Sequence, residues 1–229
     1  PQSVLDFLAN VGVDKLAVSS SSTCCGDYKL AVSEMQEVVK LGGDRVVPVL
    51  WIYNDWISDN SIESIMNCGV EWKCLKVHGY MQDWHTDPTL IGKVVSMARE
   101  RHLPILFHTG GRDESDAGRY LEVVKNNPDI TFILAHSRPV EQAIEVLKAC
   151  PNAWADTAFT PFEEVLQMIS EGFEDRMMWG TDYPLHHVFY AGMDINKMYH
   201  DMVNQLQNAV SPEVFDKLTY LNFERLFKL

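Results

Sequence analysis

Four short stretches carry side chains able to act together on a substrate. They are Leu75-Lys76-Val77-His78-Gly79, Leu106-Phe107-His108-Thr109-Gly110-Gly111, Leu134-Ala135-His136-Ser137-Arg138-Pro139 and Trp179-Gly180-Thr181-Asp182-Tyr183-Pro184. Each closes an apolar run with a histidine or an aspartate. Imidazole and carboxylate together suit a borderline divalent cation such as Zn2+. A cation so held draws the pKa of a bound water toward ~7. An aspartate beside that water can hold it, take its proton and return the proton to a leaving group. Lys76 and His78 stand two apart and so share one strand face; if either faces a pocket, both do. Arg138 has the planar fork that grips a carboxylate.

Each of these residues also has a plainer use. Asp182 could shape the Asp-Tyr-Pro turn, and His108 could be a hydrogen-bonded core histidine. Thr109-Gly110-Gly111 after it nevertheless permits close backbone approach to a ligand. Arg138 could open a helix and pair with a nearby acid, and Lys76 could be an internal cation paired with a carboxylate. His186 and His187 read as surface histidines in a loop after Asp182. Arg112, Asp113 and Glu114 read as a solvated loop. Cys24 and Cys25 follow a strand onto the same rim, but a nucleophilic role would need a base beside them.

The elements that must position these groups are legible as alternating runs. Strands are expected at Lys15–Ser20, Arg45–Tyr53, Cys74–Tyr80, Pro104–Thr109, Thr131–Ser137, Ala153–Phe159 and Met177–Asp182. They are continuously apolar, as parallel strands covered on both faces are. Helices start between them. Asp87-Pro88 and Thr160-Pro161 each offer an N-cap before a proline, with Glu163 at the capping-box position of the second. Arg138-Pro139 opens a helix that ends near Cys150. Ser211-Pro212 opens the last one, which is expected to bury Val214, Leu218, Leu221 and Leu226. Seven βα units at this density predict an α/β chain forming a single domain over residues 1–229, an eight-stranded (β/α)8 barrel that lacks strand one here. The helix Ser3–Asn10 has no strand before it, so the first strand is expected upstream of Pro1. An open doubly wound sheet is the rival. In a barrel, all four chemical strand ends reach one rim.

The bulk properties narrow the partners. The chain has 229 residues, 46% of them hydrophobic, with 19 Lys+Arg against 32 Asp+Glu and a net charge of −13. That charge disfavours nonspecific contact with nucleic acid or anionic membrane, and no apolar run approaches the ~20 residues of a membrane span. A small molecule is the expected partner. Five cysteines, none in a C-x-x-C pair, fit free thiols in a reducing cytoplasm.

The strand-end set "KVHGY", "ILFHTG", "ILAHSRP" and "WGTDYP", with the closing "LNFERLF", resembles the amidohydrolase superfamily. The branch is that of amidohydrolase-related decarboxylases and hydrolases typified by aminocarboxymuconate-semialdehyde decarboxylase. The resemblance covers essentially the whole chain. It implies a distorted barrel with a metal held by a His-x-His on the first strand, a His on the fifth and an Asp on the eighth. Carried over, it implies His108 and Asp182 as metal ligands. His136 is then the catalytic imidazole with Asp182 as proton shuttle, and Lys76, His78 and Arg138 face the substrate. Relatives often pair, so a homodimer is allowed for. None of the eight histidines is two from another, so the metal site is incomplete here and the missing pair is expected with the first strand. The reading is a metal-dependent hydrolase acting on a small amide, ester or lactone through metal-activated water. The alternatives are a nonhydrolytic decarboxylase on the same scaffold and an inactive barrel with a binding role.

Overall fold

The structure is a computed structural model, and it describes residues 2–79 and 88–229. Seven strands appear where continuous apolar runs predict them: β1 (Leu16–Val18), β2 (Val46–Trp51), β3 (Cys74–Val77), β4 (Ile105–His108), β5 (Phe132–Ala135), β6 (Ala153–Asp156) and β7 (Met177–Met178). Every neighbouring pair is parallel, and the order is β1-β2-β3-β4-β5-β6-β7. A doubly wound sheet reverses its strand order at a switch point. This one never does, so it is a curled sheet of barrel type, and the open-sheet rival is set aside.

Each strand is shorter than its apolar run because the run's last residues leave the ladder. His78, His136 and Asp182 are among those residues, whereas Lys76 and His108 stay within β3 and β4. Thr131–Ser137, for example, pairs only over Phe132–Ala135, and His136 turns out with φ of 71°. Within the strands the two-residue period sorts the faces. Leu75, Val77, Ile105, Phe107, Phe132 and Leu134 pack outward against the helices. Val47, Val49, Cys74, Ile133 and Met178 point inward, where Phe227 fills the space between them. Because Val47 and Cys74 lie near the starts of their strands, Phe227 closes the end opposite the chemical rim. Phe107 and Phe132 are wholly buried, and each stabilises the fold by roughly 2–3 kcal/mol through burial alone.

The helices begin largely as their caps dictate. α1 is Gln2–Val11, and α2 (Tyr28–Gly42) starts where the Asp27 carboxylate accepts from Leu30 N. α3 (Asn54–Ser58), α4 (Ser61–Met66), α5 (Pro88–Arg101) and α6 (Leu121–Lys125) follow. The Asp87 cap expected for α5 lies outside the described residues. α7 (Val140–Ala149) follows Pro139 as expected. α8 (Phe162–Ser170) departs from expectation: Pro161 itself is the N-cap, and no side chain caps this end, so the Glu163 capping box does not form. α9 (His186–Phe189) and α10 (Ile195–Ala209, capped by Asp194) come next. Ser211 caps α11 (Pro212–Asp216), as expected. The last helical pattern is broken by a π turn, Lys217–Leu221, before α12 (Asn222–Phe227). The extra residue per turn rotates the stripe, so Leu218 is buried while Leu221 is exposed, contrary to the even spacing.

α1 packs on α10. Phe7 joins Ile195 and Tyr199 in a small core of their own, and its ring lies flat on Tyr183, 4.0 Å away. The Tyr183 hydroxyl also donates to Ser3 O at 3.4 Å. No helix among the described residues is long and apolar enough to cross a membrane.

Candidate active site

The site is assembled at the C-terminal ends of the strands. Trp51 ends β2 in register with Lys76 on β3, and the Lys76 ammonium lies over the Trp51 ring, 4.4 Å from its centre. Two residues on, the His78 ring stacks between Trp51 (5.4 Å) and His108 (3.7 Å). His108 is the last residue of β4, and His136 meets its ring edge-on at 4.8 Å. The three imidazoles are buried. Burial pushes the His78 pKa down to about 3, helped by the Lys76 charge. His108 is driven down further by the same burial and by its cationic neighbours. His136 is lowered by burial against the opposing pull of Asp182. Burial thus favours the neutral form of all three rings.

His136 is held on every side but one. The Asp156 carboxylate accepts from its main-chain N at 3.2 Å, and Thr160 Oγ1 donates to its carbonyl at 2.7 Å. Its Nδ1 meets Ala158 O at 2.9 Å. A carbonyl accepts only, so Nδ1 carries the proton and Nε2 is left with its lone pair. Nε2 faces His108 Nδ1 at 3.1 Å and Asp182 Oδ2 at 3.9 Å. With His136 neutral, the latter is a proximity and not an ion pair. His108 repeats the pattern, its Nε2 meeting Gly110 O at 3.2 Å, which turns the Nδ1 lone pair toward His136.

Two lone pairs facing each other at 3.1 Å beside a carboxylate call for a cation. Donors about 2.0–2.2 Å from a tetrahedral ion stand about 3.3 Å from one another; His108 Nδ1 and His136 Nε2 are 3.1 Å apart, with Asp182 Oδ2 3.9 Å from His136 Nε2. The donor set fits a divalent metal as part of its ligand shell. Among the described residues, no group of three or more His, Cys, Asp or Glu side chains is arranged to hold a metal unaided.

The remaining expected residues sit as follows. Arg138 follows His136 and lies against Gly110, where a Cβ would come within 2.6 Å of Arg138 Cβ. Its buried Nε has no hydrogen-bond partner among the described residues, and its positive charge reaches His108 and His136. Asp182 has φ of 48° and keeps part of its side chain open to solvent. Asp113–Ser115 forms a short 3-10 turn with Arg112, Asp113 and Glu114 exposed, as a solvated loop would be. Cys24 is half-buried, and burial raises its thiol pKa against the pull of Lys76, which disfavours a nucleophile. His186 is a correction: it is buried, not on the surface, stacked on Phe159 at 4.0 Å with its Nδ1 on the Tyr199 hydroxyl at 2.5 Å. His187 is exposed. Asp156 and Trp51 were missed by the sequence analysis. Ala155-Asp156-Thr157 ends an apolar run just as the four recognised stretches do, and that signal could have found Asp156.

A family model described as Amidohydrolase matches residues 36–229. The chain belongs to the amidohydrolase family. No curated protein matches it in sequence. Solved structures share its fold. A 5-carboxyvanillate decarboxylase from Sphingomonas paucimobilis superposes with a TM-score of 0.72 at 14% identity, over 99% of this chain and 82% of that one. A probable 2-pyrone-4,6-dicarboxylic acid hydrolase from Acinetobacter baumannii gives 0.69 at 11%, over 100% and 88%. A 5-carboxyvanillate decarboxylase from Novosphingobium aromaticivorans, with bound manganese, gives 0.69 at 14%, over 100% and 81%. This amidohydrolase thus shares its architecture with both hydrolases and decarboxylases.

Proposed function

We propose that this amidohydrolase is a metal-dependent hydrolase of a small amide, ester or lactone. The observation that carries the reading is the convergence of Asp182 Oδ2 and His108 Nδ1 on His136 Nε2 at the C-terminal edge of the curled sheet. His108 and Asp182 would hold the metal as part of its ligand shell, with His136 Nε2 beside it. When bound, a divalent cation supplies a Lewis acid for the scissile group and lowers the pKa of a water. The chain's own groups do the rest. Asp182, partly open to solvent, takes a proton at Oδ2 and returns it to the leaving group. His136, its tautomer fixed by Ala158 O, presents a basic Nε2 that orients water or substrate. The Trp51–His78–His108 stack forms one apolar wall of the site. Lys76 and Arg138 place two cations beside the imidazoles, which suits a substrate bearing a carboxylate.

That same pair of cations favours a second reading, the nonhydrolytic loss of carbon dioxide from a small acid. We place the protein in the cytoplasm, acting on a small molecule and not on nucleic acid or membrane, as a single domain able to pair with a copy of itself. Metal analysis after loading with Mn2+ or Zn2+, followed by a panel of esters, lactones, amides and aromatic acids, tests both readings. Stoichiometric metal with hydrolysis supports the first, and carbon dioxide release without hydrolysis supports the second. No metal and no turnover of any kind would sink both and favour an inactive barrel with a binding role.

A further inference from the structure

The carboxylate of Asp156 stands at the rim end of the sheet, partly buried, yet has no part in the chemistry proposed there. It is the last residue of β6, and it interrupts the ladder at the point where β5 turns away. One oxygen, Oδ1, accepts from His136 N at 3.2 Å and from Ala158 N at 2.9 Å. The first contact fixes the backbone that carries the imidazole, which is left-handed at φ of 71°. The second fixes the residue whose carbonyl holds the ring at Nδ1. Ser137 Oγ, one residue beyond the imidazole, donates to Asp156 O at 2.9 Å. Gly180 on the neighbouring segment completes the arrangement: a Cβ there would run into the Asp156 carboxylate, so the glycine leaves that carboxylate its room. Burial raises the Asp156 pKa to about 6, against the pull of the two amides; a carboxylate kept there at a cost has a task.

The geometry points to Asp156 as the positioning residue for His136: a single oxygen locks both the main chain of the imidazole and the carbonyl that selects its tautomer. This rests on His136 being the working imidazole. Losing the lock frees the ring to rotate and to exchange its proton between nitrogens, so Nε2 is no longer reliably the bare one.

The test is 15N NMR of the histidine side chains in the full chain, with no metal added, the His136 signals being those lost in His136→Gln. The unmodified chain is expected to show one tautomer, with the proton on Nδ1. Asp156→Ala should shift the tautomer ratio by about fivefold, the factor that goes with one ordinary hydrogen bond. Asp156→Asn keeps an oxygen for both amides and should restore the original spectrum. Gly180→Ala should act like Asp156→Ala by displacing the carboxylate, and it decides the matter if Asp156→Ala does not fold. Met168→Ala, a wholly buried change on α8, should destabilise the fold without touching the His136 signals. An unchanged tautomer in both Asp156→Ala and Gly180→Ala overturns the proposal, and so does an equal disturbance in Met168→Ala. The readout needs neither metal nor turnover, so its failure is distinct from failure of the hydrolase reading.

Discussion

Gly110→Ala separates backbone strain from loss of the Arg138 position. Gly110 has φ of 78°, a left-handed conformation that costs a residue with a Cβ about 1–2 kcal/mol. The added methyl would also meet Arg138 Cβ at 2.6 Å and Nε at 3.0 Å. Such overpacking costs typically 1–3 kcal/mol. The sum is about 2–5 kcal/mol. In a chain of this size each kcal/mol lowers Tm by roughly 2–4 °C, so a fall of about 4–20 °C is expected. Gly172→Ala supplies the comparison, because Gly172 has φ of 86° and nothing within 4 Å of a new Cβ. It should cost only the backbone share. Calorimetry of the two variants measures the difference. Under the proposed role of Arg138, Gly110→Ala should also raise KM for carboxylated substrates more than it lowers kcat, whereas Gly172→Ala should change neither. Equal Tm values for the two variants, or an unchanged KM in Gly110→Ala, would refute the claim that Gly110 exists to admit Arg138.

Asp182→Asn removes a proton carrier while adding almost no volume, so turnover should fall by about 10²–10⁴-fold with the circular dichroism unchanged; near-normal kcat shows the assignment is wrong. His108→Ala should lower the metal content measured after dialysis against Mn2+ or Zn2+, and unchanged occupancy counts against a ligand role. Phe132→Ala empties a wholly buried position on β5 and should cost about 3–5 kcal/mol in urea unfolding; a loss under 1 kcal/mol would mean the outer face of the sheet is not tightly packed against the helices.

The seven strands were legible because a parallel strand covered on both faces must be apolar along its whole length, whereas a surface helix or a loop breaks such a run with polar residues. The same logic placed His78, His108, His136 and Asp182 at one rim, since residues closing successive parallel strands emerge on the same side. What the sequence could not show is how each group is held. His136 depends on Asp156, Ala158 and Thr160, which lie well down the chain from it and act partly through main-chain atoms. His186 looked like a surface residue because it follows Asp182 in a stretch that reads as a loop; only the fold brings Tyr199 and Phe159 over it. Leu221 looked buried because an even helical stripe assumes no π turn. The missing cap on α8 has a similar cause, since Pro161 takes the N-cap position and leaves Thr160 to bond His136 O instead.

The stacking of Phe7 on Tyr183 ties the acid's loop to the far end of the polypeptide. Asp182 is flanked by a residue whose ring rests on α1 and whose hydroxyl reaches Ser3, 180 positions earlier. The placement of Asp182 is thereby set by how α1 docks. A substitution that loosens α1 from α10, such as the loss of the Phe7 ring, would therefore be felt at Asp182.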